Sequence, residues 1–157
     1  MSGIQRAGLI FGALALVSNL LLGIMALYVF APILNVIWGL AAGIYAEKWS
    51  TSDIIDTPSM LGTKAGAIAG VGALVGLALG MTIWFSMLGG RELSIDLTRT
   101  ITSEQGLELP SNAVMQELAR YSLVSLTCCF GVLSILILAA AGRIGARLAH
   151  SSQNRSG

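Results

Sequence analysis

The chain has 157 residues, of which 55% are hydrophobic and only 11% are charged. Soluble domains average about 25% charged residues, so this sequence has less than half the charge that a water-exposed surface requires. Its hydrophobicity excludes a disordered chain, and a formal net charge of +1 excludes the strongly basic surface of a nucleic-acid-binding protein. The composition therefore predicts an integral membrane protein.

Three stretches without charged residues are long enough to cross a bilayer, which takes about 20 apolar residues. They cover residues 7–46, 65–90 and 121–142. The first contains Pro32 near its middle, where proline can open a second helix but would break a continuous one. The sequence thus predicts an all-α, four-helix transmembrane bundle in a single domain, residues 1–150, followed by a disordered tail, residues 151–157. The four spans are expected at about 7–29, 32–49, 60–88 and 112–146.

Lys and Arg residues are divided unequally between the two sides of such a bundle. The side with both termini and the 47–64 loop has six, namely Arg6, Lys48, Lys64, Arg143, Arg147 and Arg155, and the opposite side has three. Because Lys and Arg are enriched on the cytoplasmic side, we expect a multi-pass protein of the cell membrane with cytoplasmic N- and C-termini. A cleavable signal peptide ending near Val29-Phe30-Ala31 is the alternative interpretation of residues 1–31.

Residues 89–111 form the sizeable loop on the opposite, extracytoplasmic side. Between residues 93 and 102, apolar and polar side chains alternate with the period of a half-buried strand. Such a strand would need a second copy or a partner to satisfy its edges, and a loop at the lipid interface is the alternative. From Asn112 onward the sequence favours a helix that leads into the fourth span.

Glycines recur at four-residue spacing in the third span. Two sets, Gly62, Gly66, Gly70 and Gly72, Gly76, Gly80, fall within about 160° of one another on an ideal helix. The spacing is repeated by Gly8 and Gly12 in span 1 and by Gly39 and Gly43 in span 2. This glycine-zipper pattern predicts close helix packing, either within the bundle or against a second copy or a partner subunit.

None of the four uncharged cores contains Asp, Glu, Lys, Arg or His. Intramembrane ionisable groups are typical of proton relays and ion-coupled transporters, so their absence from the sequence argues against those mechanisms. The polar residues expected inside the membrane include Asn19 and Asn35, whose amides we interpret as interhelical hydrogen-bonding groups. The membrane-embedded glutamate of the small multidrug transporters has no counterpart in these spans.

The residue types that perform catalysis or bind metals are scarce. The one histidine, His150, lies in the C-terminal tail, and Cys128 and Cys129 are adjacent, so their side chains diverge by about 100° on a helix. Metal sites need clustered His, Cys or carboxylate ligands. We therefore expect no enzyme activity, no cofactor and no metal.

The strings Trp38-Gly39-Leu40-Ala41-Ala42-Gly43 and Gly66-Ala67-Ile68-Ala69-Gly70 resemble those of small four-span prokaryotic membrane proteins of unknown function. The resemblance implies a bacterial or archaeal plasma membrane and no particular activity. The sequence predicts a non-enzymatic structural or accessory subunit that self-associates or docks a membrane-protein partner through glycine-rich helix faces. An oligomeric channel or uncoupled transporter for small solutes is the alternative.

Overall fold

A computed structural model describes residues 2–50, 57–87, 89–104 and 111–153. Within these ranges the fold is all-α and contains no strand; its helices are α1 (Gly3–Ile24), α2 (Ala31–Trp49), α3 (Pro58–Met87), α4 (Gly90–Glu104) and α5 (Asn112–Gln153). A short 3-10 turn at Tyr28–Phe30 joins α1 to α2. Helices α1, α2, α3 and α5 are long and apolar enough to cross a membrane, which confirms the predicted four-helix bundle.

Local sequence signals explain where the helices begin. The Ser2 hydroxyl accepts a hydrogen bond from the Gln5 backbone N–H, while the Gln5 side chain accepts one from the Ser2 N–H, a reciprocal capping box that opens α1. Pro32 occupies the first turn of α2, as its position in the sequence predicts. At the start of α3, the Thr57 carbonyl accepts hydrogen bonds from the N–H groups of Met60 and Leu61.

The four long helices form a ring in the order α1, α3, α5, α2, with α2 also packing across the ring against α3. Small side chains fill the interior. The buried core comprises Ala7, Phe11, Ala15, Ala42, Ala46, Ala65, Ala69, Ala73 and Leu138. Because most of these residues are alanines, the helix axes approach more closely than leucine-filled bundles allow.

The strand and the loop conformation predicted as alternatives for residues 93–102 are both wrong, because these residues lie in helix α4. The alternating threonines and serines satisfy their hydroxyls within the helix: Thr98 donates to the Ser94 carbonyl and Thr102 to the Thr98 carbonyl. The apolar residues Leu93, Leu97 and Ile101, which also suit a strand, are spaced by four and form one exposed helical stripe. The alternation in the sequence is therefore compatible both with the two-residue period of a strand and with the 3.6-residue period of a helix.

Helix α5 is longer than the fourth span predicted at 112–146. Its 42 residues correspond to about 63 Å, roughly twice the thickness of a hydrocarbon core. At the C-terminal end the helix continues to Gln153, so the first three residues of the predicted disordered tail are helical. Residues 154–157 lie outside the described ranges.

Candidate functional site

Three glycines of α3 lie against α5. A Cβ atom built at Gly62 would overlap the backbone carbonyl of Gly142, and one at Gly66 would overlap that of Leu138. A Cβ at Gly70 would overlap the Cα of Ile135. The two backbones therefore touch over about two helical turns, the kind of packing that stabilises helix pairs in lipid.

The other three glycines of α3 lie against α1. Cβ atoms at Gly72, Gly76 and Gly80 would overlap the carbonyls of Gly12, Leu16 and Leu20, respectively. From the opposite side, Gly8 and Gly12 of α1 pack against Ile68 and Ala69. Helix α3 thus touches one neighbour with the first half of its glycine series and another with the second half.

The six glycines, which fall within an arc of about 160° on an ideal helix, do not pack against a single neighbour. A step of four residues rotates a helix position by 40°, so the 62–70 and 72–80 sets form two parallel stripes that are offset by about 80° around the helix. Each stripe is covered by a different helix of the same chain. These glycines are consequently not exposed to a second protein.

Glycines of α2 and α5 make a third close contact. Gly39 packs on Leu138 and Ala141, and Gly43 packs on the Gly142 carbonyl. The Gly145 position of α5 in turn meets the carbonyl of Leu40 in α2. All ten glycines that the sequence predicts as packing residues therefore lie in contacts between helices of one chain, and Gly142 joins two of the interfaces.

A polar chain crosses the interior of the bundle. The Asn19 amide of α1 donates to the Asn35 side-chain oxygen of α2 at 2.9 Å, and the Asn35 amide donates to the Ser134 hydroxyl of α5 at 2.9 Å. The Ser134 hydroxyl then donates to the Phe130 carbonyl. Both asparagine side chains are fully buried, so these bonds join three helices where lipid and water are excluded.

At the Asn19 end, this series of hydrogen bonds is anchored on α1. The Asn19 amide also donates to the Ala15 carbonyl at 2.8 Å, and the Ser18 hydroxyl donates to the same carbonyl. The Trp38 indole N–H of α2 donates to Ser18. The Asn19 side-chain oxygen has no hydrogen-bond partner among the described residues. The sequence predicted the two asparagines as bonding groups but gave no signal for Ser134 as the third member.

A carboxylate and an imidazole meet at the end of the bundle where both termini lie. Glu47 Oε1 of α2 lies 2.9 Å from His150 Nδ1 of α5, and the Glu47 side chain is only 10% exposed. Its other oxygen, Oε2, is buried without a partner among the described residues. The pair joins α2 to α5, which sequence analysis missed because the two residues are 103 positions apart.

Arginine and lysine side chains near this end also stack on aromatic rings. The Arg6 guanidinium lies 5.4 Å from the centre of the Trp49 ring, and the Lys48 amine lies 5.8 Å from that of Tyr45. Such contacts are typical of the membrane–water interface, where aromatic rings and cations gather. Here they join the start of α1 to the end of α2 and hold Lys48 over a ring of its own helix.

Much of helix α5 is not covered by the rest of the chain. Ser122, Ser125 and Cys129 lie within about 60° of one another on the helix, and all three are exposed. No hydrogen-bond partner is present for the hydroxyls of Ser122 and Ser125 among the described residues. We call these three residues the α5 small-residue face; it lies inside the uncharged stretch of residues 121–142.

The described residues contain no group of three or more His, Cys, Asp or Glu side chains that could hold a metal ion. No protein-family model matches the sequence, and neither a curated protein nor a solved structure gives a significant match.

Proposed function

We propose that the chain is a non-enzymatic structural or accessory subunit of the cell membrane, with both termini in the cytoplasm. Its role is to dock a transmembrane helix of another chain. Two features support the proposal. The interior polar groups bond to one another across three helices, and the uncharged stretches of the sequence contain no Asp, Glu, Lys, Arg or His. These features favour a subunit that associates through helix packing over a channel or transporter.

The α5 small-residue face is the surface that favours docking most directly. Serine and other small residues are enriched where membrane helices meet, because they permit close approach and cross-helix hydrogen bonds. The side chains of Ser122 and Ser125 are exposed on α5 within the uncharged stretch, and their hydroxyls have no hydrogen-bond partner among the described residues. This observation moves the docking site from the glycines of α3, which are covered, to the outer half of α5.

The test is affinity purification of the full chain in mild detergent from its native membranes. We expect a stoichiometric partner, or a dimer of the chain itself, that is lost in Ser125→Leu and retained in Val124→Leu, since Val124 is exposed on another side of α5. Cross-linking through the exposed Cys129 in native membranes distinguishes the two occupants, because a second copy gives a Cys129-linked homodimer. A chain that stays monomeric and uncomplexed in membranes would rule out the subunit role.

The channel or transporter alternative has a separate test. Purified chain is reconstituted into liposomes, and the flux of ions and small neutral solutes is measured against empty liposomes. We expect no flux above the control. Flux from the pure protein that disappears in Asn35→Leu would replace the subunit role with transport through the interior polar chain.

A further inference from the structure

A groove opens between the first turn of α3 and the last part of α5, at the end of the bundle where both termini lie. It has a volume of about 540 Å³, and its lining includes Ser59 and Lys64 of α3 and Arg143 and Arg147 of α5. The three cationic side chains are exposed at its rim. We call it the basic groove.

The depth of the basic groove follows from the helix packing. Lys64 and Arg143 are the charges that immediately border the uncharged stretches of α3 and α5. Because Gly62 and Gly142 touch, these two charges lie at about the same height along the bundle. The groove therefore lies at the boundary between hydrocarbon and water, the level that phospholipid phosphates occupy.

The polar groups of the groove suit a phosphate. Arg147 Nε donates to the Ser59 hydroxyl oxygen at 2.6 Å, so the Ser59 hydrogen remains a donor. Helix α3 begins at Pro58, which places the positive end of a 30-residue helix beside Ser59. Among the described residues, neither Arg143 nor Arg147 lies within ion-pair distance of a carboxylate.

The groove at the opposite end of the bundle differs from the basic groove in the charges that line it. A larger groove there, of about 750 Å³, is lined by Arg91 and Arg120 together with Glu92 and Glu117. Its formal charges cancel, whereas no acid lines the basic groove among the described residues. Even with every acid counted, the sequence gives the terminal side six Lys and Arg residues against three Asp and Glu.

We propose that the basic groove binds the phosphate of an anionic phospholipid, with Arg143 and Arg147 as forked donors. Guanidinium groups recognise phosphate by paired hydrogen bonds, and basic pockets between helices on the cytoplasmic side are suited to anionic head groups. The acyl chains of the lipid extend along the apolar surfaces of α3 and α5. This site lies at the opposite end from the α5 small-residue face, so either proposal can fail alone.

The experiment uses the full chain purified in a neutral detergent and delipidated. Dihexanoyl phosphatidylglycerol, dihexanoyl phosphatidylcholine and inorganic phosphate are each titrated, and the rise in Tm gives an apparent affinity. We expect phosphatidylglycerol to stabilise the protein at lower concentrations than the other two. In the double variant Arg143→Gln/Arg147→Gln, the affinity of the protein for phosphatidylglycerol should fall about 30-fold, which is about five-fold for each cation lost.

Two variants separate binding from folding. Arg143→Lys/Arg147→Lys keeps the charges and should retain more affinity than the glutamine pair, while Arg91→Gln/Arg120→Gln at the other end should leave it unchanged. Circular dichroism without lipid checks that each variant folds. Equal stabilisation by phosphatidylglycerol in wild type and the folded glutamine pair would overturn the proposal, and so would equal responses to phosphatidylglycerol and phosphatidylcholine. An equal response to inorganic phosphate would assign the groove to free phosphate instead.

Discussion

At the scale of single residues, the buried amides specify which helices meet. Asn19, Asn35 and Ser134 come from three different helices, and each hydrogen bond fixes one helix against the next. Apolar side chains cannot do this, because a leucine packs against any apolar neighbour and against lipid equally well. The hydrogen-bonded side chains therefore provide register in a bundle whose interior is otherwise mostly alanine and glycine.

Asn35→Ala should destabilise the bundle by about 1–4 kcal/mol, because two interhelical hydrogen bonds disappear and each contributes roughly 0.6–2 kcal/mol. The measurement is unfolding of the purified chain in mixed micelles with increasing denaturing detergent. Ser18→Ala is the control. Ser18 is only partly buried, and it bonds to Trp38 and not to Asn35. A loss no greater than that of Ser18→Ala would contradict the role given to Asn35.

Ser134 can be linked to Asn35 by a double-mutant cycle. If the amide and hydroxyl bond as described, Ser134→Ala and Asn35→Ala together should cost less than the sum of the single substitutions, by roughly 0.5–1.5 kcal/mol. Strict additivity would mean that the two side chains do not interact.

At the scale of helices, glycine determines how closely the backbones approach. Gly76 meets the backbone of Leu16 and Gly70 meets that of Ile135, so neither site has room for a side chain. The sequence revealed these positions by their spacing, but it could not say that the series divides between two neighbours. A 160° arc is wide enough for two helices, and spacing alone does not identify which helices they are.

Replacing Gly76 by Leu should therefore destabilise the isolated monomer, with a cost of at least about 1–3 kcal/mol from overpacking. Val75→Leu is the matched control, because Val75 is 38% exposed beside it on α3. The measurement is again unfolding in mixed micelles, together with the size of the folded particle. A variant that remains a stable monomer and loses only assembly would mean that the glycine face serves a partner after all.

The exposed stripe of α4 leads to a prediction about the membrane surface. Leu93, Leu97 and Ile101 are each more than half exposed, and α4 begins three residues after α3 ends. An amphipathic helix in that position lies in the interface with its apolar side toward the acyl chains. In a cysteine-free background, a fluorophore on Leu97→Cys should be quenched by nitroxide lipids in liposomes more strongly than one on Glu92→Cys, which is on the other side of α4. Equal quenching would place α4 away from the bilayer.

At the scale of the whole molecule, composition and charge were sufficient for the architecture but not for the contacts. Uncharged stretches and Pro32 predicted four spans because lipid imposes length and apolarity on any crossing helix. The partners of α5, the pair of Glu47 with His150 and the basic groove all depend on residues distant in the chain. Sequence periodicity contains no information about such distances, so these features emerged only with the fold.

The orientation of the molecule can be tested with single cysteines in a background lacking Cys128 and Cys129. Both termini are predicted to be cytoplasmic, so a membrane-impermeant maleimide should label Thr100→Cys on intact cells or spheroplasts. Ser151→Cys should be labelled only after the membrane is permeabilised. Both positions are exposed, so a lack of labelling reports topology and not burial. The reverse pattern would place the termini and the basic groove outside.

The bond between Asn35 and Ser134 also has a consequence for biosynthesis, because the two residues are 99 positions apart. At about 5–20 residues per second, the ribosome reaches Ser134 roughly 5–20 s after Asn35. The α1–α2 hairpin can enter the membrane during that interval, while the hydroxyl that completes the Asn35 amide has not been synthesised. The Asn35 amide of α2 therefore gains this hydrogen-bond acceptor only when α5 has been made. In a chain truncated before Ser134, the Asn35 amide lacks this acceptor.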